Sequence, residues 1–153
     1  MKRSTIFFVL LPLLLLSCNK NKVFDKHHDF DGNKWGKTDI VTFDADIDKV
    51  DQEYDIFVAV RHTTAYAFAN VIVDLTIETP AGEKRTMQHS LIIRSADGKF
   101  LGDGLGDIYD ISIPVFKKML FKYPGKYKFT LENKMHLVEM PDLMSIGIII
   151  KKS

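Results

Sequence analysis

Apolar side chains recur at every second residue through most of this chain, and a period of two admits little except β-strands. Tyr54, Ile56, Val58 and Val60 share one face of a stretch running to His62, with Asp55 and Arg61 on the other. Val71, Val73, Leu75 and Ile77 alternate with Asn70, Asp74, Thr76 and Glu78. Met87, Leu91 and Ile93 share a face with His89, and Tyr127, Phe129 and Leu131 alternate with Lys128, Thr130 and Glu132. A last apolar stretch runs from Ser145 to Lys151. All are rich in the β-branched and aromatic residues that suit a half-buried pleated surface.

Turn chemistry separates these runs. Pro80-Ala81-Gly82-Glu83, Ala96-Asp97-Gly98-Lys99 and Pro124-Gly125-Lys126 supply the residues that tight turns need. One stretch breaks the pattern. Pro114-Val115-Phe116-Lys117-Lys118-Met119-Leu120-Phe121 reads as a short helix with proline in its first turn. About eight or nine one-sided strands cannot be covered by a single sheet. The expectation is an all-β fold, an antiparallel β-sandwich of immunoglobulin-like or jelly-roll-like type, with one short helical segment.

The N-terminus reads as an export signal. Lys2 and Arg3 precede an unbroken apolar run from Ile6 to Leu16. That run is too short for a bilayer core of about 30 Å, which takes about 20 residues, and it suits a secretory signal. It ends in Leu15-Leu16-Ser17-Cys18, the pattern cut by lipoprotein signal peptidase between Ser17 and Cys18. Cys18 is the single cysteine, so it is available for lipidation and no internal disulfide can form. A diacyl or triacyl cysteine holds durably, at about 0.8 kcal/mol per buried CH₂. The expected organisation is a signal peptide over 1–17, a lipidated cysteine and short tether over 18–22, and one sandwich domain over 23–153. Loss of Lys2 and Arg3 leaves 19 basic against 20 acidic residues, a balance that suggests no nucleic-acid partner.

Few residues arrange themselves for chemistry. Asp44, Asp46 and Asp48 match the first, third and fifth positions of a calcium loop, with Asp55 at the twelfth. Lys49 stands where the loop needs glycine, so the plainer reading is a strand with Phe43, Ala45 and Ile47 inward. Asp25, His27, Asp29 and Asp31 would share one strand face, with Phe24 and Phe30 packing on the other. His89, on an apolar face, is expected to be a hydrogen-bonded core histidine. No serine stands in a Gly-x-Ser-x-Gly elbow. No metal or cofactor site is expected.

The run from Phe100 to Tyr109, with glycines at 102, 104 and 106, invites a phosphate-loop reading. Its spacing is Gly-x-Gly-x-Gly, it lacks the Lys-Ser/Thr pair, and a strand pattern follows it rather than a helix. Asp103 and Asp107 would repel phosphate. A glycine-hinged corner leading into a strand over Tyr109–Ile113 is the better reading.

Several of these segments together resemble the gliding motility lipoprotein GldH family of Bacteroidota. They are the lipobox Cys18, an early aromatic region ending at Trp35, the run Tyr54–Thr64, and Tyr66-Ala67-Phe68-Ala69-Asn70. Asp97–Asp107, Pro124–Met135 and the closing Met144–Lys152 complete the set. Where the family has an Asn-Lys-Met-Arg-like segment, this chain has Asn133-Lys134-Met135-His136. The resemblance implies a lipid-anchored envelope protein, without catalytic activity, in an apparatus linking surface gliding with secretion. Its partners would be the membrane and other envelope proteins of that machinery. Asn19 after the cysteine suits retention at the outer membrane, facing the periplasm. Asp103, Asp107 and Trp35 are the candidate contact residues. The alternative is a carbohydrate-binding lipoprotein using Trp35, Tyr66, Phe68, Phe100 and Tyr109.

Overall fold

The computed structural model describes residues 21–153, and Ser17 and Cys18 lie outside them. Two antiparallel sheets face each other across one apolar core. The five-stranded sheet has the order β1 (Lys22–Asp29), β11 (Leu143–Lys152), β4 (Glu53–Thr63), β8 (Ile108–Leu120), β7 (Asp103–Leu105). The four-stranded sheet has the order β3 (Val41–Ile47), β9 (Gly125–Asn133), β5 (Asn70–Glu78), β6 (Lys84–Ile92). A small pair, β2 (Lys34–Gly36) with β10 (Glu139–Pro141), flanks them. The all-β sandwich expected from the alternation is the observed architecture.

The alternation sets which face goes in. Tyr54, Ile56, Val58 and Val60 of β4 are buried, as are Val71, Val73, Leu75 and Ile77 of β5. On β3, Val41, Phe43, Ala45 and Ile47 point inward, while Thr42, Asp44 and Asp46 are exposed. Their carboxylates face Lys128 and Lys126 across the strand pair. Asp55 belongs to the other sheet and accepts the Lys118 amide and the Ser153 hydroxyl. The four carboxylates of the calcium-like pattern therefore do not converge.

The segment expected to be helical is extended. Pro114 to Leu120 forms the second half of β8 and pairs with β4, from Phe57↔Pro114 to Glu53↔Leu120. The register shifts twice, between Tyr54/Ile56 and Ile56/Phe57, and Lys118 sits at φ 53. Each bulge adds a residue without adding a partner. The bulges bring Val115, Phe116 and Met119, spaced as on a helix face, together on the core side, while Leu120 is exposed. Pro114 loses no ladder bond if its nitrogen faces the outer edge of β8, where prolines are tolerated in sheets.

The turn signals resolve into three uses. Pro80–Glu83 closes the β5–β6 hairpin, where the Thr79 amide donates to the Glu83 carbonyl at 2.8 Å. Ser95–Lys99 is a tight turn, with the Ser95 amide on the Lys99 carbonyl at 2.9 Å. Pro124-Gly125 is not a hairpin, because it carries the chain from β8 across to β9 in the opposite sheet.

These connections give the sandwich two distinct ends. Lys22, Lys152, the link from Ile47 to Glu53 and the link from Leu120 to Gly125 lie at the near end. The link from Thr63 to Asn70, the β7–β8 turn and the segment after Asn133 lie at the far end. The length of β4 separates the ends by roughly 30 Å at about 3.3 Å per residue.

At the far end, Asn133 ties the small sheet to the sandwich. It is buried, its Nδ2 donates to the Trp35 carbonyl at 3.1 Å, and its Oδ1 accepts the Met135 amide at 2.9 Å. Met135 Sδ in turn accepts the Ile72 amide at 3.2 Å. Replacing Asn133 by alanine strands a buried carbonyl and a buried amide, each worth about 1–3 kcal/mol when unpaired. Urea unfolding of Asn133→Ala should show a loss in that range. A change below about 0.5 kcal/mol, typical of an indifferent surface site, would contradict the role.

Candidate functional site

Three separated sequence segments meet at the far end around one histidine. His62 lies at the end of β4 and is fully buried. Its ring stacks on Tyr109 at 5.8 Å and 10°, and meets Phe100 at 4.9 Å and Tyr66 at 5.8 Å. Phe68 packs edge-on against Tyr66. Arg94 lays its guanidinium over Phe100 at 4.0 Å and donates from Nη2 to the Tyr66 carbonyl at 2.6 Å. The Tyr66 hydroxyl donates to the Asn70 carbonyl at 3.0 Å, which fixes the loop between β4 and β5.

The imidazole is held in one tautomer. His62 Nδ1 lies 2.9 Å from the Thr63 carbonyl and must donate to it, since a carbonyl only accepts. Nε2 is then a bare acceptor, and it has no hydrogen-bond partner among the described residues. Burial pushes the His62 pKa down, and the Arg94 charge adds to this against the opposing Thr63 carbonyl and Asp110 carboxylate. The imidazole is neutral in this setting. Thr63 is fixed as well, its amide donating to the Asp142 carbonyl and its hydroxyl to the Asp142 carboxylate, both at 3.0 Å.

The glycine-rich run is a hairpin laid on this cluster. β7 and the start of β8 pair as Asp103↔Asp110, Gly104↔Tyr109 and Leu105↔Ile108, with Gly106-Asp107 as the turn. The Asp107 carbonyl accepts the Thr64 amide at 2.8 Å and pins the turn to β4. A Cβ at Gly104 would lie 2.8 Å from the Tyr109 ring, so glycine lets the hairpin sit flat on that aromatic. At Gly102, with φ +91, a Cβ would lie 2.2 Å from the Asp110 carbonyl oxygen. Gly102 and Gly104 serve close approach, while Gly106, at φ +61 with open space around it, serves the turn. Beside them, Arg61 clasps Asp110 across the strands with bonds of 2.7 and 2.9 Å.

The sequence-selected contact residues separate here. Asp103 and Asp107 are exposed on the hairpin. Trp35 is fully buried, stacks on Phe30 at 5.2 Å, and donates from Nε1 to the Asp39 carbonyl at 2.8 Å. Its ring is a core element and offers no surface to a partner. Tyr66 is buried too, while Phe68, Phe100 and Tyr109 are half-buried, and Phe100 and Tyr109 tilt by 39°. The five aromatics considered for a glycan are packing residues and give no flat exposed platform. His89 is also corrected: it meets Phe116 edge-on at 5.5 Å, and its buried Nε2 has no hydrogen bond among the described residues. Asp25 and His27 share a face and pair at 2.9 Å, with Lys22 also on Asp25.

Sequence reading missed the exposed apolar residues of this end. Leu105 at the hairpin tip is 86% exposed and Val138 is 78% exposed. Ile40, Ile92, Leu101, Ile108 and Leu137 are exposed at the same end, against Val23 and Leu120 at the near end among the described residues. Alternation could not reveal this, because the residues lie in turns and at strand ends. The signal available was Leu105 between two glycines, where an apolar side chain has no strand face to bury into.

Comparison with known proteins decides the lineage. Residues 22–150 match the GldH lipoprotein family. This chain belongs to the GldH lipoprotein family. It is 33% identical over 120 residues to the gliding motility lipoprotein GldH of Flavobacterium johnsoniae, covering 78% of this chain and 74% of that protein. It is 25% identical over 157 residues to the gliding motility lipoprotein GldH homolog of Christiangramia forsetii, covering 98% and 96% of the two. Among solved structures, that of infectious bursal disease virus Gx strain overlays with a TM-score of 0.29 at 14% identity, over 85% of this chain and 28% of that one. That overlay is too weak to bear on fold or function. GldH membership makes the chain a gliding-related lipoprotein of the cell envelope.

The buried imidazole predicts a pH dependence. With its folded pKa below the ordinary 6.5, the unfolded state binds the proton better. Stability is therefore full above that value and falls as pH drops through it. Burial lowers His89 in the same sense. Denaturant midpoints should fall from about pH 7.5 to about pH 5, and His62→Phe should flatten that fall without abolishing it. Parallel pH curves for the two proteins would contradict the assignment.

Proposed function

We propose that this chain is a non-catalytic contact component of the gliding apparatus and its associated secretion machinery. It acts by presenting the far end of its sandwich to other envelope proteins. The observation that carries the reading is the number of exposed apolar residues at the far end, Leu105 the most exposed, opposite the end where β1 begins. Scattered exposed leucines are ordinary, but apolar groups gathered at one end of a domain mark an interaction surface.

The organisation of the chain supports the same reading. Residues 1–17 are the leader, 18–22 the lipidated cysteine and tether, and 23–153 the sandwich. β1 starts four residues after Cys18, so the leash spans at most about 14 Å at about 3.5 Å per residue. A leash that short holds the near end against the headgroups and directs the far end away from the membrane. Asn19 favours the outer membrane and a periplasmic orientation. Asp103 and Asp107 flank Leu105 and give the apolar tip a polar, solvent-accessible rim, as protein contacts have. His62, Arg94 and the aromatics hold the hairpin rigid beneath it. The names of the two GldH relatives point to gliding as the process served.

Deletion followed by complementation tests this. Leu105→Asp should fold, reach the membrane and fail to restore spreading or secretion, and Asp103→Ala with Asp107→Ala should weaken both. Cys18→Ala should leave the membrane fraction. Full activity of Leu105→Asp, or membrane retention of Cys18→Ala, would overturn the corresponding half of the reading.

A further inference from the structure

Strand β6 ends the four-stranded sheet, with β5 on one side and no strand on the other among the described residues. Its register with β5 runs unbroken from Asn70↔Ile92 to Glu78↔Lys84. It contains no proline and no glycine. A long regular edge of this kind presents a row of unpaired amides and carbonyls, which proteins usually blunt with proline, a bulge or charge. β8 by contrast is interrupted, by Pro114 and by the bulges around Lys118. The middle of β6, from Thr86 to Ser90, is not.

The two sheets also fail to close along this flank. On β8, Ile111, Ile113, Val115, Phe116 and Met119 are all only partly buried, as are Met87 and His89 on β6. The inward residues of β4 and β5, each flanked by strands on both sides, are buried. A cleft of about 270 Å³ opens toward the near end, lined by Ile77, Arg85, Phe116, Met119, Leu120 and Phe121 among others. β7 covers β8 only as far as Asp110. One more strand beside β6 would roof the remainder.

Charge indicates what that strand carries. Lys84 and Lys122 pair with Glu78 and Glu83, while Arg85, Lys117 and Lys118 form no side-chain ion pair among the described residues. The other carboxylates nearby are Glu53, opposite Leu120, and Asp55, which accepts the Lys118 amide and the Ser153 hydroxyl and feels the charges of Lys117 and Lys118. Five cations therefore stand against four carboxylates at this end of the flank, and Arg85 lines the cleft without an ion pair among the described residues. A second copy of the chain is a poor match, because its β6 contains no carboxylate.

We propose that β6 is a receiving edge, at which an extended segment of another protein adds antiparallel as the next strand of the sheet. Alternate apolar side chains of that segment enter the seam over Ile113 and Phe116. Carboxylates at its C-terminal end meet Arg85, Lys117 and Lys118. Antiparallel addition continues the pairing used throughout the sheet and makes the stronger ladder. The site is separate from the hairpin tip and does not depend on what binds there.

The test uses the full chain in detergent micelles and a labelled peptide, Thr-Val-Thr-Val-Thr-Val-Thr-Glu-Glu. Three comparison peptides complete the set: one N-methylated at alternate amides, one ending in Lys-Lys, and one of scrambled order. The proposal expects saturable binding in anisotropy and slower hydrogen exchange at the amides of 86–90. N-methylation should weaken binding at least tenfold. Arg85→Glu with Lys117→Glu and Lys118→Glu, all exposed positions, should weaken the acidic peptide at least tenfold and favour the Lys-Lys peptide instead. Absence of binding, equal binding after N-methylation, or exchange at 86–90 that slows with protein concentration alone would overturn it. The last result would assign the edge to a second copy.

Discussion

The register of β4 between β11 and β8 is the constraint on which the rest of this molecule depends. β4 pairs on one side from Lys152↔Tyr54 to Leu143↔His62, and on the other from Glu53↔Leu120 to Thr63↔Ile108. Because side chains alternate strictly, a slip of one residue would turn Ile56, Val58 and Val60 out to water. It would also turn His62 away from Phe100 and Tyr109. The same parity thus sets the core and the platform under the hairpin. Arg61 and Asp110, clasped across the strands next to His62, add a cross-strand pair that marks this register.

The consequence is a molecule with two unlike ends. The near end receives the chain from the anchor side and holds the links that pass between the sheets. The far end gathers Tyr66, Phe68, Arg94, Phe100 and Tyr109 around a neutral histidine, and lays on them a hairpin whose glycines permit contact too close for any side chain. A rigid base and an exposed Leu105 tip differ in what they cost to bind. A tip already fixed loses little conformational freedom when a partner covers it. Conversely, His62 Nε2 and Arg94 Nε are buried without hydrogen-bond partners among the described residues, so this end gives up some stability for its shape.

Much of the fold was legible because period two is a local property. The strands over 54–62, 126–132 and 145–151 lie within one or two residues of the observed bounds. Illegible parts were those set by pairing across the sheets. At Pro114–Leu120 two bulges disguised a strand as a helix, and only the partner strand explains them. Pro124-Gly125 announced a turn but not its destination. The site was legible in pieces: Gly102, Gly104, Asp103 and Asp107 stood out, and a backbone role for the glycines followed from their spacing. Trp35 stood out for its size, and that same size fills the core. His62 stood isolated in sequence, because its neighbours Phe100 and Tyr109 are far away along the chain. The family resemblance named several segments, and the structure shows that three of them form one cluster.

The central claim is that the exposed hairpin tip at the far end is where the chain meets its partners in the gliding apparatus. Photo-crosslinking in intact cells tests it directly, with a photoreactive side chain placed at Leu105 in one strain and at exposed Asp46, on the near half of β3, in another. The account predicts a discrete protein adduct from position 105 and none of comparable yield from position 46. Protein adducts from position 46 with only free chain or lipid adducts from position 105 would contradict it.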